Sequence, residues 1–238
     1  MLIDLHAHSS GISRCCRIPA RQVLEVARSI GLDGIVLTNH YQKDYVTDGD
    51  LMGFVHRYMD EIRHVQKLAE EMDMKAFWGI EVTMELYPRV HMLVYGVGED
   101  FLEKYPAVFD MTQEELWCAV KADGGVLIQG HPYRGGTSPL EPRWLDGVEI
   151  NCHPLYGNTY SAQLLALAQK HGLIVTCGGD YHADTYRAHC GTFLPEHITD
   201  SVALGHFLQE TDEIELLVQE IPADTLHRIR YCRRTEKE

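Results

Sequence analysis

Histidines and acidic residues at the ends of predicted strands are the residues of this sequence whose types and spacing could do chemistry. His6 and His8 are two positions apart in an apolar segment, so both side chains would point to one face of a strand, which Asp4 would share. Neutral imidazole nitrogens are common ligands of divalent metal ions. Taken alone, such a pair would also suit hydrogen-bonded histidines at the surface.

The same residue types occur at the carboxyl ends of four further predicted strands. These residues are His40, Glu81, His131 and the pair Asp180 and His182. In a parallel barrel the carboxyl ends of all strands meet on one face, where functional groups collect. Because five separate strands each deliver His, Asp or Glu to that rim, the sequence predicts a metal cluster there.

The elements that must position these residues alternate along the chain. Strands are predicted over 2–6, 33–38, 76–82, 91–96, 125–130, 146–151 and 173–178. Helices are predicted near 20–30, 50–72, 112–123, 159–171, 200–210 and 222–232. Such alternation is typical of an α/β protein with a largely parallel sheet or barrel. Since no linker or internal repeat is visible, we expect one domain over residues 1–238.

His91 differs from the other histidines because it begins a predicted strand. The connection over 84–89 has only six residues, whereas a parallel crossover needs a dozen or more. We therefore predict that strands 76–82 and 91–96 are antiparallel neighbours, which would bring His91 to the same rim as Glu81.

Charge and composition exclude several classes of function. The net charge of −14 repels polyanions, which counts against nucleic-acid binding but not against a small anionic substrate. The seven cysteines have no CxxC spacing and resemble reduced cytosolic thiols. The sequence has neither a membrane-spanning apolar run nor a signal-peptide pattern at its start, so we expect a cytoplasmic protein. We expect the basic C-terminal residues to complement the dipole of the helix over 222–232.

The sequence resembles the PHP (polymerase and histidinol phosphatase) superfamily. The motifs that carry the resemblance are Asp4-Leu5-His6-Ala7-His8-Ser9, Leu37-Thr38-Asn39-His40, Gly79-Ile80-Glu81, His91, Gly130-His131-Pro132 and Gly179-Asp180-Tyr181-His182. They span residues 4–182 in order. The resemblance implies a distorted (β/α)7-type barrel and a metal-dependent phosphoesterase with two or three divalent ions.

The resemblance also implies a ligand set. One ion would be bound by His6, His8, Glu81 and Asp180. Glu81 would bridge to a second ion held by His91 and His131, and His40 and His182 would belong to a third. The sequence departs from the family at Asn39, where Asp is frequent, and over 11–16, where a His or Asp ligand is common.

Two arginines are candidates for binding a phosphate, because a guanidinium can donate two parallel hydrogen bonds to it. Arg134 lies three residues after His131, on a loop at the same rim. Arg14 stands where a ligand of the third ion would be expected and cannot bind a metal, so we predict that it partly replaces that ion. His40 and His182 would then hydrogen-bond the substrate or position the proton of the leaving group. Arg187 is a further candidate of the same kind.

Three further interpretations stay open. Asp4 would orient a ligand histidine rather than bind metal. His153 would line the pocket. Cys15 and Cys16 would either pack in the core or act as soft metal ligands.

These observations favour a phosphatase of small phosphomonoesters, with a hydroxide shared between two ions as the nucleophile. Mn, Zn and Fe all suit ligands of this type. One alternative is an amidohydrolase that cleaves C–N bonds on a related barrel, although such enzymes usually bridge their metals with a modified lysine. The other alternative is a non-catalytic, metal-stabilised module of a larger assembly.

Overall fold

The computed structural model describes residues 1–185 and 188–233, so Arg187 lies outside the described residues. The strands are β1 (Leu2–Ala7), β2 (Gly34–Leu37), β3 (His40–Tyr41), β4 (Lys75–Thr83), β5 (His91–Tyr95), β6 (Val126–Gln129), β7 (Gly147–Asn151), β8 (Ile174–Gly178), β9 (Gly191–Phe193), β10 (Glu213–Glu220) and β11 (Thr225–Cys232). The helices are α1 (Ala20–Ser29), α2 (Leu51–Glu71), α3 (Phe101–Lys104), α4 (Gln113–Ala122), α5 (Ser161–His171) and α6 (Ser201–Glu210).

Seven strands form a nearly closed barrel in the order β1-β2-β4-β5-β6-β7-β8. Strand β8 returns to β1 through a parallel bridge between Ala7 and Tyr181 and a 2.8 Å hydrogen bond from the Asp180 amide to the His6 carbonyl. All neighbouring pairs in this wall are parallel except the two that involve β5. The reversal of β5 distorts an otherwise parallel barrel, which confirms the predicted fold class.

The antiparallel pairing of β4 with β5 was predicted from the short loop between them and is confirmed. Its register places Thr83 opposite His91. His91 therefore lies at the same end of the barrel as Glu81.

Five of the six predicted helices form where the sequence indicates, as α1, α2, α4, α5 and α6. The side chain of Asp50 accepts a hydrogen bond from the Gly53 amide at the start of α2, and Thr112 with Glu115 forms a capping box on α4. The apolar stripe of α2 packs in the core, whereas His56 and His64 are exposed on the opposite face, as predicted. Within the described ranges, no helix combines the length and apolar character needed to cross a membrane.

The helix predicted over 222–232 is wrong, because this segment is strand β11. It pairs with β10 along its whole length, and β9 connects this hairpin to the amino-terminal half of β1. Side chains on one face of β11, Arg228 and Arg230, form ion pairs with Glu215 and Glu213 of β10. These two arginines therefore offset acids on a neighbouring strand and do not complement a helix dipole, whereas Arg234 and Lys237 of the basic tail lie outside the described residues. Alternation of polar and apolar residues in 213–220 was the overlooked signal for this hairpin.

Candidate metal centre

Glu81 on β4 is a fully buried carboxylate surrounded by imidazole rings. Five histidines each place a ring nitrogen near its oxygens: His40 and His91 at 2.7 Å, His131 at 3.1 Å, and His6 and His8 at 3.3 Å. These rings come from β1, β3, β5 and the loops that follow β1 and β6. The barrel therefore brings the predicted residues of separate strands to one point.

The donor atoms form three overlapping groups, each with all members within 4.8 Å of one another. One group is His6, His8, Glu81 and Asp180; the second is His40, Glu81 and His91; the third is His8, His40 and His182. The first group has the same members as the ligand set that the family resemblance implied for one ion. His131 joins the cluster through its contact with Glu81.

Several atoms of the cluster are buried without a hydrogen bond. They include His6 Nε2, His40 Nδ1 and Glu81 Oε2. Buried polar atoms are nearly always paired, and an unpaired one indicates a strained, catalytic or ligand-binding position. The donors are imidazole nitrogens and carboxylate oxygens, which suit divalent metal ions. The residues of this cluster therefore fit the metal ions that the fold implies.

The protonation states of the cluster are mixed. Carboxylates outweigh burial and raise the pKa of His6, and Glu81 with Cys15 does the same for His40, whose pKa rises to about 10, so these rings must lose a proton to bind a metal. Burial alone would raise the pKa of Glu81, but the surrounding imidazoles outweigh it and hold that pKa well below its usual range. The pKa of Asp180 is also lowered, because His6 and Arg134 outweigh the effect of burial. Burial lowers the pKa of His8, and it lowers the pKa of His131 to about 4. At neutral pH the acids are thus ionised and these two histidines neutral, which are the forms that bind metals.

Glu149 on β7 supports the cluster and was missed in the sequence. Its carboxylate accepts hydrogen bonds from His6 Nδ1 at 2.7 Å, from the His131 amide at 2.9 Å and from the Asn151 side chain at 3.1 Å. The contact to His6 fixes that ring so that Nε2 points to Glu81 and Asp180. The only available signal was an acidic residue in the middle of an apolar strand, 146–151.

Close approach of β8 to β1 depends on a glycine. A Cβ at Gly178 would lie 2.5 Å from the His6 Cβ and 2.8 Å from Glu149 Oε1. Any larger residue would push apart His6 and Glu149, the carboxylate that orients it.

Two residues of the site have a strained backbone. Asp180 has a φ of 49°, and His131 has a φ of 32°, so both residues are held in conformations that non-glycine residues rarely adopt.

Asn39 organises the loop after β1 and does not face the cluster. Its Oδ1 accepts hydrogen bonds from the Ser9 amide and the Ser13 hydroxyl, both at 2.8 Å. The Ser13 Oγ in turn lies 3.1 Å from His8 Nδ1 and accepts from the His40 amide at 3.0 Å. The loop therefore folds inward and supports two rings of the site.

Asp4 was predicted to orient a ligand histidine. It accepts hydrogen bonds from the His6 and Gly179 amides and not from a histidine ring, and burial raises its pKa to about 7.

A cavity of about 350 Å³ opens over the cluster. Polar groups from strands and loops line it: Cys15, Arg17, His40, His91, His153 and His182. Arg134 and the exposed side chains of Leu155 and Tyr156 also line it. His153 therefore lines the pocket, as predicted.

Cys15 also contacts the cavity, where hydrogen bonds with His182 and His40 outweigh partial burial and lower its pKa to about 6. Cys16 instead packs in the core.

The structure places the two predicted arginines differently. Arg134 pairs with Asp180, donates to Asn151 Oδ1 at 3.2 Å and lies over the Tyr156 ring at 4.2 Å, so its guanidinium is at the cavity wall. Arg14 is exposed, donates to the Asp44 carbonyl at 3.1 Å and stacks on Tyr45. The expectation that Arg14 faces the site is therefore not met, because the inward fold of the loop turns Arg17 to the cavity instead.

Comparison with protein-family models and with curated proteins finds no match for this sequence. Solved structures do resemble it. A proposed metal-dependent phosphoesterase from Bifidobacterium adolescentis has a TM-score of 0.52 and 18% identity, over 88% of this chain and 96% of that one. PsfC from Pseudomonas syringae has a TM-score of 0.59 and 20% identity, over 86% of each chain.

A third similar structure is a two-domain protein from Bacteroides vulgatus that contains a predicted PHP-like metal-dependent phosphoesterase. Its TM-score is 0.58 at 15% identity, and the match covers 98% of this chain and 64% of that one. Two of the three structures are thus described as phosphoesterases of this type, and the match covers most of this chain in each case. The chain has the fold of these phosphoesterase structures, which is the fold that the resemblance drawn from its motifs implied.

Proposed function

We propose that this protein is a metal-dependent phosphoesterase that hydrolyses a small phosphomonoester. The observation that carries the proposal is the buried Glu81 carboxylate with five imidazole rings around it and Asp180 beside them. Ionisable groups buried at this density, with His6 Nε2, His40 Nδ1 and Glu81 Oε2 lacking hydrogen bonds, have a high free-energy cost in a protein interior unless cations bind there. The fold shared with phosphoesterase structures supports the same conclusion.

We assign His6, His8, Glu81 and Asp180 to one ion, and Glu81, His91 and His131 to a second. His40 and His182, with His8 near them, are the donors for a third. Bound ions of this kind supply positive charge for the phosphate oxygens and an activated water at neutral pH. The mixture of nitrogen and oxygen donors suits Mn, Zn or Fe.

The chain's own groups would bind and orient the substrate. Arg134 can donate two hydrogen bonds to a phosphate while Asn151 and Tyr156 hold its guanidinium in place. If no third ion binds, His182 and His40 are the cavity-lining groups suited to hold or transfer the proton that the leaving group needs. The cavity volume of about 350 Å³ suits a small molecule.

The amidohydrolase alternative has no observation in its favour. The residue at the centre of the described cluster is the carboxylate of Glu81, where that class of enzyme would use a modified lysine. The alternative of a non-catalytic module is weakened by the cavity, which gives a substrate access to the cluster.

The test is hydrolysis of a generic aryl phosphate by the purified chain. We expect turnover that a chelator abolishes and that added Mn²⁺, Zn²⁺ or Fe²⁺ restores, with about two or three ions per chain by elemental analysis. The proposal is wrong if the metal-loaded protein cleaves only C–N bonds or if activity persists after complete removal of metal.

A further inference from the structure

Three buried cysteines form a second cluster of donor atoms outside the Glu81 site. The Sγ atoms of Cys152, Cys177 and Cys190 all lie within 4.8 Å of one another, and those of Cys152 and Cys177 are 3.7 Å apart. None of the three side chains is more than 1% exposed. In the sequence they are scattered, without a spacing that indicates a metal site.

Three separate elements hold these cysteines in place. Cys152 directly follows β7, Cys177 lies in β8, and Cys190 directly precedes β9. The Cys177 amide donates to Thr192 Oγ1 at 3.1 Å, and its thiol donates to the Leu217 carbonyl at 3.3 Å. The register of β7 with β8 brings Cys152, the residue after β7, beside Cys177, and the sulfur atoms converge without a covalent bond between them.

We propose that Cys152, Cys177 and Cys190 bind one soft, thiophilic metal ion, of the chemical class of Cu(I), through three sulfur atoms. Thiolate sulfur selects soft ions such as Cu(I) over the harder ions that suit the Glu81 cluster. Structural zinc sites almost always have four ligands, whereas this group has three members among the described residues. With metal–sulfur distances of about 2.3 Å, three sulfurs around one ion would be about 4 Å apart, which the observed spacing allows.

Donor chemistry and access both suit a soft cation. Thiolate is the form of cysteine that binds metals, so the thiol protons that the ion displaces would leave to solvent. A cavity of about 220 Å³, lined by Cys152, Gln219 and Asp224 among others, gives the ion a path from the surface.

The test is anaerobic titration of the reduced full-length chain with Cu(I) against a competing chelator, followed by X-ray absorption at the copper edge. We expect one tightly bound copper ion per chain with only sulfur neighbours. Cys177→Ser and Cys190→Ala should each weaken binding at least about tenfold, as loss of one of three ligands requires. The matched control is Cys118→Ser, since Cys118 is an exposed cysteine elsewhere in the chain, and it should bind copper as the wild type does.

Two further variants separate this site from the Glu81 cluster. Copper binding should persist in Glu81→Gln and in Cys15→Ser, whatever their effect on hydrolysis. The proposal is overturned by nitrogen neighbours around the copper, by copper lost in Cys15→Ser, or by tight binding that persists in both folded cluster variants. It is equally overturned if the reduced wild type binds no copper, or if Cys152 is found in a disulfide that excludes the metal.

Discussion

Two buried glutamates of the barrel have the same residue type and burial but opposite surroundings. Glu149 on β7 has its oxygens occupied by three donors of the protein, the His6 ring, the His131 amide and the Asn151 side chain. Glu81 on β4 faces imidazole rings, and its Oε2 makes no hydrogen bond, although His40 Nδ1 lies 2.7 Å away. A carboxylate whose two oxygens both accept hydrogen bonds positions its neighbours, whereas one with an oxygen that accepts none can bind a ligand. The hydrogen bonds at each oxygen therefore distinguish a support from a ligand.

The largest effect is expected from Glu81→Gln, which tests the ligand side of this comparison. An amide in place of the carboxylate that we propose to bridge two ions should release both and lower kcat/KM about a thousandfold, because bound metals contribute several kcal/mol to such reactions. Metal analysis and aryl phosphate hydrolysis measure the two quantities. Glu85→Gln is the matched control, since Glu85 is an exposed glutamate just beyond β4, and it should retain both. Full metal content in Glu81→Gln would contradict the bridging role.

Glu149→Gln tests the role of Glu149 as a residue that orients the ligands, and it should lower activity less than Glu81→Gln. Loss of the carboxylate that orients His6 should weaken metal affinity about 10- to 100-fold, the usual cost of removing such a partner. Unlike the Glu81 variant, this protein should recover most activity when excess metal is added. If excess metal restores nothing, Glu149 does more than orient its neighbours.

Arg134→Lys tests a residue of the cavity that binds no metal. It separates the effect of a positive charge from the effect of the planar guanidinium. Lysine keeps the charge but loses the planar pair of donors, so kcat/KM should fall about tenfold with metal content unchanged. Arg143→Lys, on the short helical turn at Pro142–Trp144, is the control and should behave as wild type. An unchanged kcat/KM in Arg134→Lys would show that Arg134 does not bind the phosphate.

The smallest effect is expected from Arg14→Ala. Its guanidinium stacks on Tyr45 outside the cavity, whereas Arg17 of the same loop lines it. Arg14→Ala should therefore change KM by less than about twofold, within the range of most surface substitutions. Arg17→Ala should raise KM more. The reverse order would restore the role that the sequence suggested for Arg14.

The histidine cluster was predictable from two observations. Several apolar runs end in His, Asp or Glu, and the carboxyl ends of parallel strands meet on one face of a barrel. The reversal at β5 followed from loop length alone. Glu149 was not predictable, because one acidic residue in an apolar strand does not reveal which face it occupies. The choice between Arg14 and Arg17 was also beyond the sequence, since it depends on how Asn39 and Ser13 fold their loop. The hairpin β10–β11 was missed because its second strand resembles a helix end rich in basic residues.

The return of β8 to β1 has a consequence for the order in which the barrel assembles. Strands β4 to β6 are near neighbours in sequence, whereas the contact of Ala7 with Tyr181 joins residues from distant parts of the chain, and contacts of that kind form late in folding. His6 and His8 lie on one side of this seam and Asp180 on the other. An ion bound by all three residues would therefore stabilise the contact between β8 and β1, which is the last part of the barrel to form. Metal loading should therefore slow hydrogen exchange at the Asp180 amide, which bonds to the His6 carbonyl across the seam, more than at amides inside β4.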